Sequence, residues 1–303
     1  MHGIIPIWKE KGMTSHDVVY KVRKIIGIKK VGHTGTLDPE VEGVLPICVG
    51  QATKLASFIL DSDKVYEAEV TLGQATETED RTGKVIEEDT TMKHIPHEEL
   101  LQVFQNMTGK IVQTPPMYSA IRVNGRRLYE YARLGIEVER PSREVYIREL
   151  KRLDGENALE GVYPSFAFRV TCSKGTYVRT LAVDIGKALG YPAHMSALVR
   201  VESGGYHKED CVTLQQLQEV VEQDALDDVL LPLETALTDY PFVEVPEEDE
   251  WLYRNGQVFD AHPLLKTHDE IVVAFNGKAI GIYQNHPTKE GRMKPSKMFP
   301  LNK

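Results

Sequence analysis

The sequence predicts an α+β protein that ends in a small β-rich domain. Stretches that alternate apolar and polar residues, typical of half-buried strands, are interspersed with stretches of helical periodicity. Near the carboxyl end, apolar runs at 271–275 and 279–283 flank Asn276-Gly277, a strong signal for a hairpin. With 303 residues, 41% of them hydrophobic, the chain can bury one large core and a smaller one.

The first predicted element is a basic amphipathic helix. Thr14 and Asp17 have the spacing of a capping box, apolar residues then recur on one face, and Gly27 ends the helix. The following segment, 32–46, is rich in Gly, Thr, Asp and Pro, a composition that predicts a loop. This loop is the first candidate for a functional site.

The middle of the chain mixes strands and helices. Tyr66 to Leu72 alternates apolar and polar residues and predicts a half-buried strand, and Asp80 to Gly83 predicts a turn into a second strand. The other predicted elements are strands at 145–150 and 165–172, and helices from Pro96 to Gly109, from about Thr176 to Gly190, and from Thr213 onward.

Charge is distributed unevenly along the chain. The formal net charge is -9, but residues 219–250 hold twelve acidic residues and no Lys or Arg, so the remainder is mildly basic. Basic residues near both ends suit phosphate binding, although taken alone they are more typical of an ordinary solvated surface. The acidic run, with Pro232, Pro241 and Pro246, predicts a domain boundary near Tyr240 and divides the chain into 1–240 and 241–303.

Several classes of protein are disfavoured by composition. No apolar run approaches the ~20 residues that span a bilayer, and the first ten residues lack the features of a signal peptide, so a cytoplasmic location is expected. The three cysteines have neither paired spacing nor a clustered His partner, which argues against disulfides and zinc. We expect no metal and no cofactor.

The candidate chemistry centres on Asp38 in the segment GHTGTLDP. A Gly-bearing turn precedes this carboxylate and Pro39 fixes the backbone after it, although an isolated Asp-Pro turn is common. Its companions are Tyr66, the segment QTPPMYSA at 113–120 and the segment GTYVR at 175–179. Arg179 lies near a predicted helix start, where a cation is disfavoured, so an acidic partner is expected for it.

Together these segments resemble the TruB family of tRNA pseudouridine-55 synthases over nearly the whole chain. Residues 32–50, GHTGTLDPEVEGVLPICVG, are similar to the family's catalytic stretch and place Asp38 at its nucleophile position. The resemblance implies a catalytic set of Asp38, Tyr66 and Arg179, pocket contacts from Tyr177 and Leu198, and a role for His33 in extruding the target nucleotide. Thr76, Thr78 and Asp80 fit the motif that follows the tyrosine.

The resemblance also implies an architecture and an activity. It implies a pseudouridine-synthase-type catalytic domain, 1–240, with a mixed, largely antiparallel sheet flanked by helices, and a PUA-like RNA-binding domain, 241–303. The implied activity is isomerisation of uridine 55 in the T loop of tRNA by a monomer that needs no protein partner. One departure is Glu10, which stands where the family's opening motif has proline and bears on the rigidity of that turn.

The implied chemistry suits these residues. A carboxylate can act as nucleophile at an electron-poor carbon and stabilise positive charge on a sugar. A guanidinium opposes the rise in carboxyl pKa that a desolvated site causes. A stacked base must be flipped out and held by aromatic or apolar faces. Attack by Asp38 at C1′, attack at C6 and a glycal route all remain open.

Two other classes of function compete with this interpretation. A non-catalytic RNA-binding protein or RNA chaperone would use the same basic helix and small β domain. A nucleobase enzyme with Cys48 or Cys172 as nucleophile would need an activating base beside the thiol, and the sequence offers none nearby.

Overall fold

The structure, a computed structural model, describes residues 1–299. In chain order the strands are β1 Gly3–Lys9, β2 Val31–His33, β3 Glu42–Val49, β4 Lys64–Leu72, β5 Gln74–Thr76, β6 Val85–Glu88, β7 Lys93–Ile95, β8 Gly109–Gln113, β9 Arg122–Val123, β10 Arg126–Arg127, β11 Arg143–Arg152, β12 Leu159–Gly161, β13 Ser165–Cys172, β14 Ala193–Ser203, β15 Tyr206–His207, β16 Phe242–Glu244, β17 Phe259–Asp260, β18 Glu270–Phe275, β19 Lys278–Asn285 and β20 Arg292–Met298. The helices are α1 Ser15–Ile26, α2 Ala56–Asp61, α3 His97–Met107, α4 Leu128–Arg133, α5 Val178–Ala188, α6 Leu214–Glu222 and α7 Glu247–Arg254.

A nine-stranded sheet organises most of the chain. Its strand order is β1-β3-β14-β4-β13-β11-β8, with β2 paired to β3 and β15 paired to β14. Its strand pairs are antiparallel apart from β3 and β14, which run parallel. The α+β class with a mixed, largely antiparallel sheet is therefore confirmed.

A second sheet of five strands forms near the carboxyl end, in the order β16-β18-β19-β20-β17. Asn276 and Gly277 join β18 to β19 with φ angles of 51° and 70°, the positive values that a tight hairpin turn requires. The predicted β-rich end of the chain is confirmed. The division into 1–240 and 241–303 remains a prediction, and residues 300–303 of the second range lie outside the described residues.

Apolar clusters hold the sheets and helices together. One cluster packs α3 and α5 against β4, β13 and β14, and another packs α1 and α6 against β1 and β3. A third joins the two sheets, because Ile4 and Cys48 of the large sheet pack with Val272 and Ile282 of the small one. The longest helix within residues 1–299 has only 12 residues, and none there is long and apolar enough to cross a membrane.

The acidic segment 219–250 is folded despite its charge and its prolines. Leu226, Leu233 and Leu237 are buried, and the backbones of Ile4 and Leu231 exchange two hydrogen bonds of 2.8 Å. Most of the acidic side chains are exposed, as in helix α7, where their charges remain hydrated. The leucines between them contribute to the core.

Local signals predicted α1 well and β3 poorly. The capping box is present, with Asp17 N donating to Thr14 Oγ1 at 3.1 Å, and Gly27 ends the helix with a φ of 69°. The segment 32–46 is a loop only in part, because β2 extends to His33 and β3 begins at Glu42. At Gly43 a Cβ would lie 2.3 Å from the carbonyl oxygen of Arg200, so the glycine allows close strand packing rather than a turn.

Candidate active site

A cavity of about 410 Å³ opens where the loop before β3, the strands β4 and β14, the segment after β8 and the start of α5 meet. Five of the six residues singled out from the sequence line it, namely Asp38, Tyr66, Tyr177, Arg179 and Leu198. His33 does not line it. The structure thus brings together residues that lie up to 160 positions apart in the chain.

Asp38 and Arg179 face each other across this cavity. Arg179 Nη2 lies 3.1 Å from Asp38 Oδ2, and the side chains are 7% and 48% exposed, respectively. Arg179 also donates from Nη1 to Thr78 O at 2.9 Å and from Nη2 to Tyr118 O at 3.0 Å. These two carbonyls fix the guanidinium, while the carboxylate remains accessible from the cavity.

A second carboxylate, that of Asp80, lies on the other side of the guanidinium. Asp80 Oδ2 is 3.8 Å from Arg179 Nη1, too long for a hydrogen bond but close enough for Coulomb attraction. Asp80 Oδ1 accepts from Thr78 Oγ1 at 2.8 Å and from Thr82 N at 2.9 Å. The expectation of an acidic partner for Arg179 is confirmed twice, by Asp38 and by Asp80.

Backbone contacts on both sides fix the loop that carries Asp38. Ser15 Oγ at the start of α1 accepts from Leu37 N at 2.9 Å. Val41 N donates to Asp38 O at 3.0 Å, which closes a turn over Pro39. The carboxylate is therefore held by the helix before it and by the turn after it.

Lys9 stabilises the turn in which Glu10 replaces the family's proline. The Lys9 ammonium is fully buried and donates to Met13 O at 2.8 Å and to Pro39 O at 3.2 Å. Burial lowers the pKa of Lys9 to about 8. The ammonium therefore links the opening turn to the residue after Asp38.

Tyr66 is the third residue of β4, directly opposite Val170 of β13 and Arg200 of β14. Burial raises the pKa of the Tyr66 phenol, and the positive charge of Arg200 opposes that rise. The phenol is therefore neutral near pH 7. It offers the cavity a flat ring and a hydroxyl group.

Tyr177 precedes α5 and is fixed through its backbone. Gln113 Nε2 donates to Tyr177 O at 3.2 Å, and Tyr177 N donates to Gln113 Oε1 at 3.0 Å. The Arg143 guanidinium lies 4.8 Å from the centroid of the Tyr177 ring, within cation-π range. The ring is thus positioned at the wall of the cavity.

His33 supports the loop that carries Asp38 from outside the cavity. Its Nδ1 accepts from Gly35 N at 3.3 Å, and its ring lies edge-on to that of His16 with centroids 5.2 Å apart. Burial is the largest of the effects that lower the pKa of His33, followed by the charge of His16. His33 is therefore a neutral hydrogen-bond acceptor at pH 7.

Several cationic residues of the cavity wall were missed by the sequence interpretation, among them Lys64 and Arg200. Arg200 is 1% exposed and donates from Nε to Val44 O at 2.8 Å and from Nη2 to Gly35 O at 3.3 Å. Lys64 donates to Ile59 O at 2.9 Å. Each lies two positions from a recognised residue, Tyr66 or Leu198, on the same face of a strand, and this spacing is the signal that identifies them.

The cysteines do not support a thiol mechanism. Cys48 and Cys172 are buried, and burial raises the pKa of each thiol to about 12. Neither residue lines the cavity. The hypothesis of a cysteine nucleophile is therefore wrong, because these thiols stay protonated and out of reach.

Solved structures with the same fold cover almost all of this chain. A chain of an H/ACA RNP bound to a substrate RNA containing 2′-deoxyuridine aligns with a TM-score of 0.71 and 23% identity, over 98% of this chain and 84% of that one. A chain of a Cbf5-Nop10-Gar1 complex aligns with a TM-score of 0.71 and 25% identity, over 99% and 84%. The chain therefore has the fold of these two chains, which is the pseudouridine synthase fold.

Family models and curated relatives give the family. The model for the TruB family pseudouridylate synthase N-terminal domain matches residues 23–178, and that for the tRNA pseudouridylate synthase B C-terminal domain matches 179–238. tRNA pseudouridine synthase B of Listeria welshimeri is 52% identical over 100% of this chain and 99% of its own, and that of Geobacillus thermodenitrificans is 51% identical over 99% and 100%. The chain belongs to the TruB family of pseudouridylate synthases, which are isomerases.

Proposed function

We propose that this protein isomerises uridine 55 in the T loop of tRNA to pseudouridine, with Asp38 as the catalytic carboxylate. The observation that carries the proposal is the pair formed by Asp38 and Arg179 at 3.1 Å, in the same cavity as Tyr66. Relatives that match the whole chain at about half identity bear the name tRNA pseudouridine synthase B.

Substrate binding requires that the target base leave its stack. The cavity of about 410 Å³ is within the range of ligand pockets and is open enough for a nucleotide to enter. Tyr66, Tyr177 and Leu198 supply two aromatic faces and one apolar face to hold the base. His33, which orders the backbone before Asp38, assists the extrusion of the nucleotide from beside the cavity.

The reaction conserves all atoms of the substrate. The bond from C1′ to N1 breaks with the help of the Asp38 carboxylate, the uracil turns, and a bond from C1′ to C5 forms. N1 gains a proton and C5 loses one, so no oxidant, reductant or second substrate is needed. Asp38 can act at C1′, at C6 or in a glycal route, and Arg179 balances its charge in each.

Tyr66 is proposed to act twice. Its ring stacks on the base, and its hydroxyl donates its proton to N1 once the C1′–N1 bond has broken. The phenolate so formed accepts the proton that leaves C5 after the new bond has formed. The nearby positive charge of Arg200 favours the transient phenolate. This assignment is consistent with a phenol that is neutral before the reaction begins.

Residues 241–303 are proposed as a PUA-like RNA-binding domain. The supporting observations are its five-stranded sheet and its firm attachment to the rest of the chain. Lys54 Nζ donates to Met298 O at 2.7 Å and Lys297 Nζ donates to Lys54 O at 2.9 Å.

We further propose that the protein acts in the cytoplasm as a monomer. The Nop10 and Gar1 partners belong to the complex described above and carry no implication for this chain.

Mapping of pseudouridine tests the proposal. Unmodified tRNA is incubated with the purified protein, and pseudouridine is located along the RNA by chemical probing. We expect a single new pseudouridine at position 55, also in an isolated T stem-loop. Modification elsewhere would reject the assigned position, and tight RNA binding without any pseudouridine would favour the RNA-chaperone alternative.

A further inference from the structure

Two polar atoms of the cavity lack a partner in the protein. Four buried side-chain polar atoms within residues 1–299 have no hydrogen-bond partner, namely Gln51 Oε1, Ser119 Oγ, Arg143 Nε and Ser203 Oγ. Ser119 and Arg143 line the cavity, and the other two residues do not. Buried polar groups are rarely left unpaired, so this coincidence points to a ligand that pairs with both.

The local structure fixes Arg143 at one wall of the cavity. It is the first residue of β11 and pairs with Gln113 of β8 in the antiparallel ladder. Its guanidinium lies over the ring of Tyr177, and its Nη2 donates to the carbonyl of Gly175. At Gly175 a Cβ would lie 3.1 Å from Arg143 Cζ, so the glycine leaves room for the guanidinium.

Accessibility together with charge distinguishes Arg143 from the other cations, because Lys64 and Arg200 also lack a carboxylate within 4.0 Å in the described residues but are buried, whereas Arg143 is half-buried. The charged residues of the cavity wall are Asp38, Lys64, Arg143, Lys174, Arg179 and Arg200. Arg179 is paired with Asp38, and Lys174 Nζ lies 2.9 Å from Asp61 Oδ1. The buried side chains of Lys64 and Arg200 donate to backbone carbonyls. In the part of the chain that the structure describes, Arg143 has no carboxylate within 4.0 Å.

We infer that Arg143 and Ser119 form a phosphate subsite, which binds the phosphodiester next to the flipped uridine. This inference rests on the proposed function, because it takes the ligand of the cavity to be an RNA nucleotide. A guanidinium is a donor only and matches the geometry of phosphate oxygens, and the serine hydroxyl can donate as well. The excess of positive charge selects an anion over the neutral carbonyls of uracil.

Such a subsite has a positioning role in the reaction. A nucleotide held by its phosphate at Arg143 and by its base at Tyr66 and Tyr177 has its sugar confined between those contacts. Because Asp38 lies in the same cavity, the phosphate contact orients the glycosidic bond toward the carboxylate. Loss of the contact is expected to weaken RNA binding and to slow the reaction.

Neutral phosphates on the RNA test the subsite. Three T stem-loop RNAs are compared, one unmodified, one with a methylphosphonate 5′ of the target uridine and one with it 3′. Binding and kcat/KM are measured for the wild type, Arg143→Gln and Ser119→Ala. The control is Arg148→Gln, since Arg148 lies on the same strand, is half exposed, pairs with Asp63 at 2.9 Å and does not line the cavity.

A phosphate subsite predicts a specific pattern. Arg143→Gln should weaken binding of the unmodified RNA by about tenfold, and Ser119→Ala by about threefold. One of the two methylphosphonates should weaken RNA binding by the wild type by a similar factor. With that RNA, the wild type and Arg143→Gln should then bind equally well. Arg148→Gln should respond to the three RNAs as the wild type does.

Other outcomes overturn the inference. If Arg143→Gln weakens the binding of all three RNAs by the same factor, or of none of them, this side chain binds no phosphate at the target uridine. The RNA affinity of Arg143→Lys, which keeps the charge but not the planar guanidinium, should lie between those of the wild type and Arg143→Gln. This variant also controls for a folding defect in Arg143→Gln. A wild type that shows the predicted phosphate dependence but makes no pseudouridine would reject the proposed function and leave the subsite standing.

Discussion

Arg179 Nη2 lies 3.1 Å from Asp38 Oδ2, and the carbonyls of Thr78 and Tyr118 hold the guanidinium in that position. The arginine is nearly buried, whereas about half of the Asp38 side chain is exposed. A charge with a fixed position can stabilise a reacting carboxylate without reorganisation. This geometry supports the proposed roles, with Arg179 in positioning and charge balance and Asp38 in contact with the substrate.

Arg179→Lys should reduce kcat more than it raises KM. An ammonium cannot serve Asp38 and both carbonyls in the same geometry, so we expect a loss of about 10²-fold in kcat and about 1–3 kcal/mol in unfolding free energy. Steady-state kinetics and thermal denaturation measure the two effects. Arg169→Lys is the control, since Arg169 pairs with Glu67 at an exposed site. Equal kcat for wild type and Arg179→Lys would show that the fork geometry is not used.

Tyr66→Phe separates the ring of Tyr66 from its hydroxyl. The ring should still stack on the base, so RNA affinity should change by less than about twofold, whereas proton transfer should slow by about 10²-fold. Single-turnover assays that follow both cleavage of the C1′–N1 bond and release of the C5 proton resolve the step affected. An unchanged rate of C5 proton release would remove the hydroxyl from the mechanism.

Arg200→Met should destabilise the loop that carries Asp38. Arg200 is almost fully buried, and the variant leaves the carbonyls of Val44 and Gly35 without their donor. We expect a loss of about 2–4 kcal/mol in unfolding free energy and a kcat at least about tenfold lower. Chemical denaturation and kinetics at a temperature where the variant is folded measure both. A variant that loses stability alone would limit Arg200 to a structural role.

His33 should make stability depend on pH on the acid side of neutrality. The pKa of His33 is lowered in the folded protein, so below the ordinary value of 6.5 the unfolded chain takes up the proton first. His33 therefore contributes its full stabilisation of the folded protein above pH 6.5. This contribution decreases as the pH falls from 6.5 toward the lowered pKa. The advantage of wild type over His33→Asn, measured by thermal denaturation, should shrink from pH 7.5 to pH 5. An advantage that grows over that interval would contradict the neutral assignment.

Elements with a local signal were predictable from the sequence. The capping box marks α1, strict alternation marks β4, and Asn276-Gly277 marks the hairpin of β18 and β19. Strands β1, β3 and β14 carry no such signal. Strands β1 and β3 are apolar over most of their length because both of their faces are buried, and periodicity does not distinguish such a run from a buried helix.

Site residues that lie in distinctive sequence segments were predictable. Residues that reach the site only through the pairing of distant strands were harder to predict. Asp38 and Arg179 lie in distinctive segments, and the resemblance to the TruB family implied that they belong to one site. Lys64 and Arg200 look like surface residues in the sequence. Their spacing from Tyr66 and Leu198 is a weak local signal, and the pairing of β4 with β14 brings both to the cavity. Long-range strand pairing is the information that local patterns lack.

The most direct test of the central claim is pseudouridine formation by Asp38→Asn on a uridine-containing T stem-loop, with RNA affinity measured in parallel. The amide keeps the size of the side chain but removes its charge and its nucleophilic oxygen. We predict a rate lower by at least about 10³-fold with affinity within about threefold of the wild type. Turnover by Asp38→Asn at the wild-type rate would contradict the account.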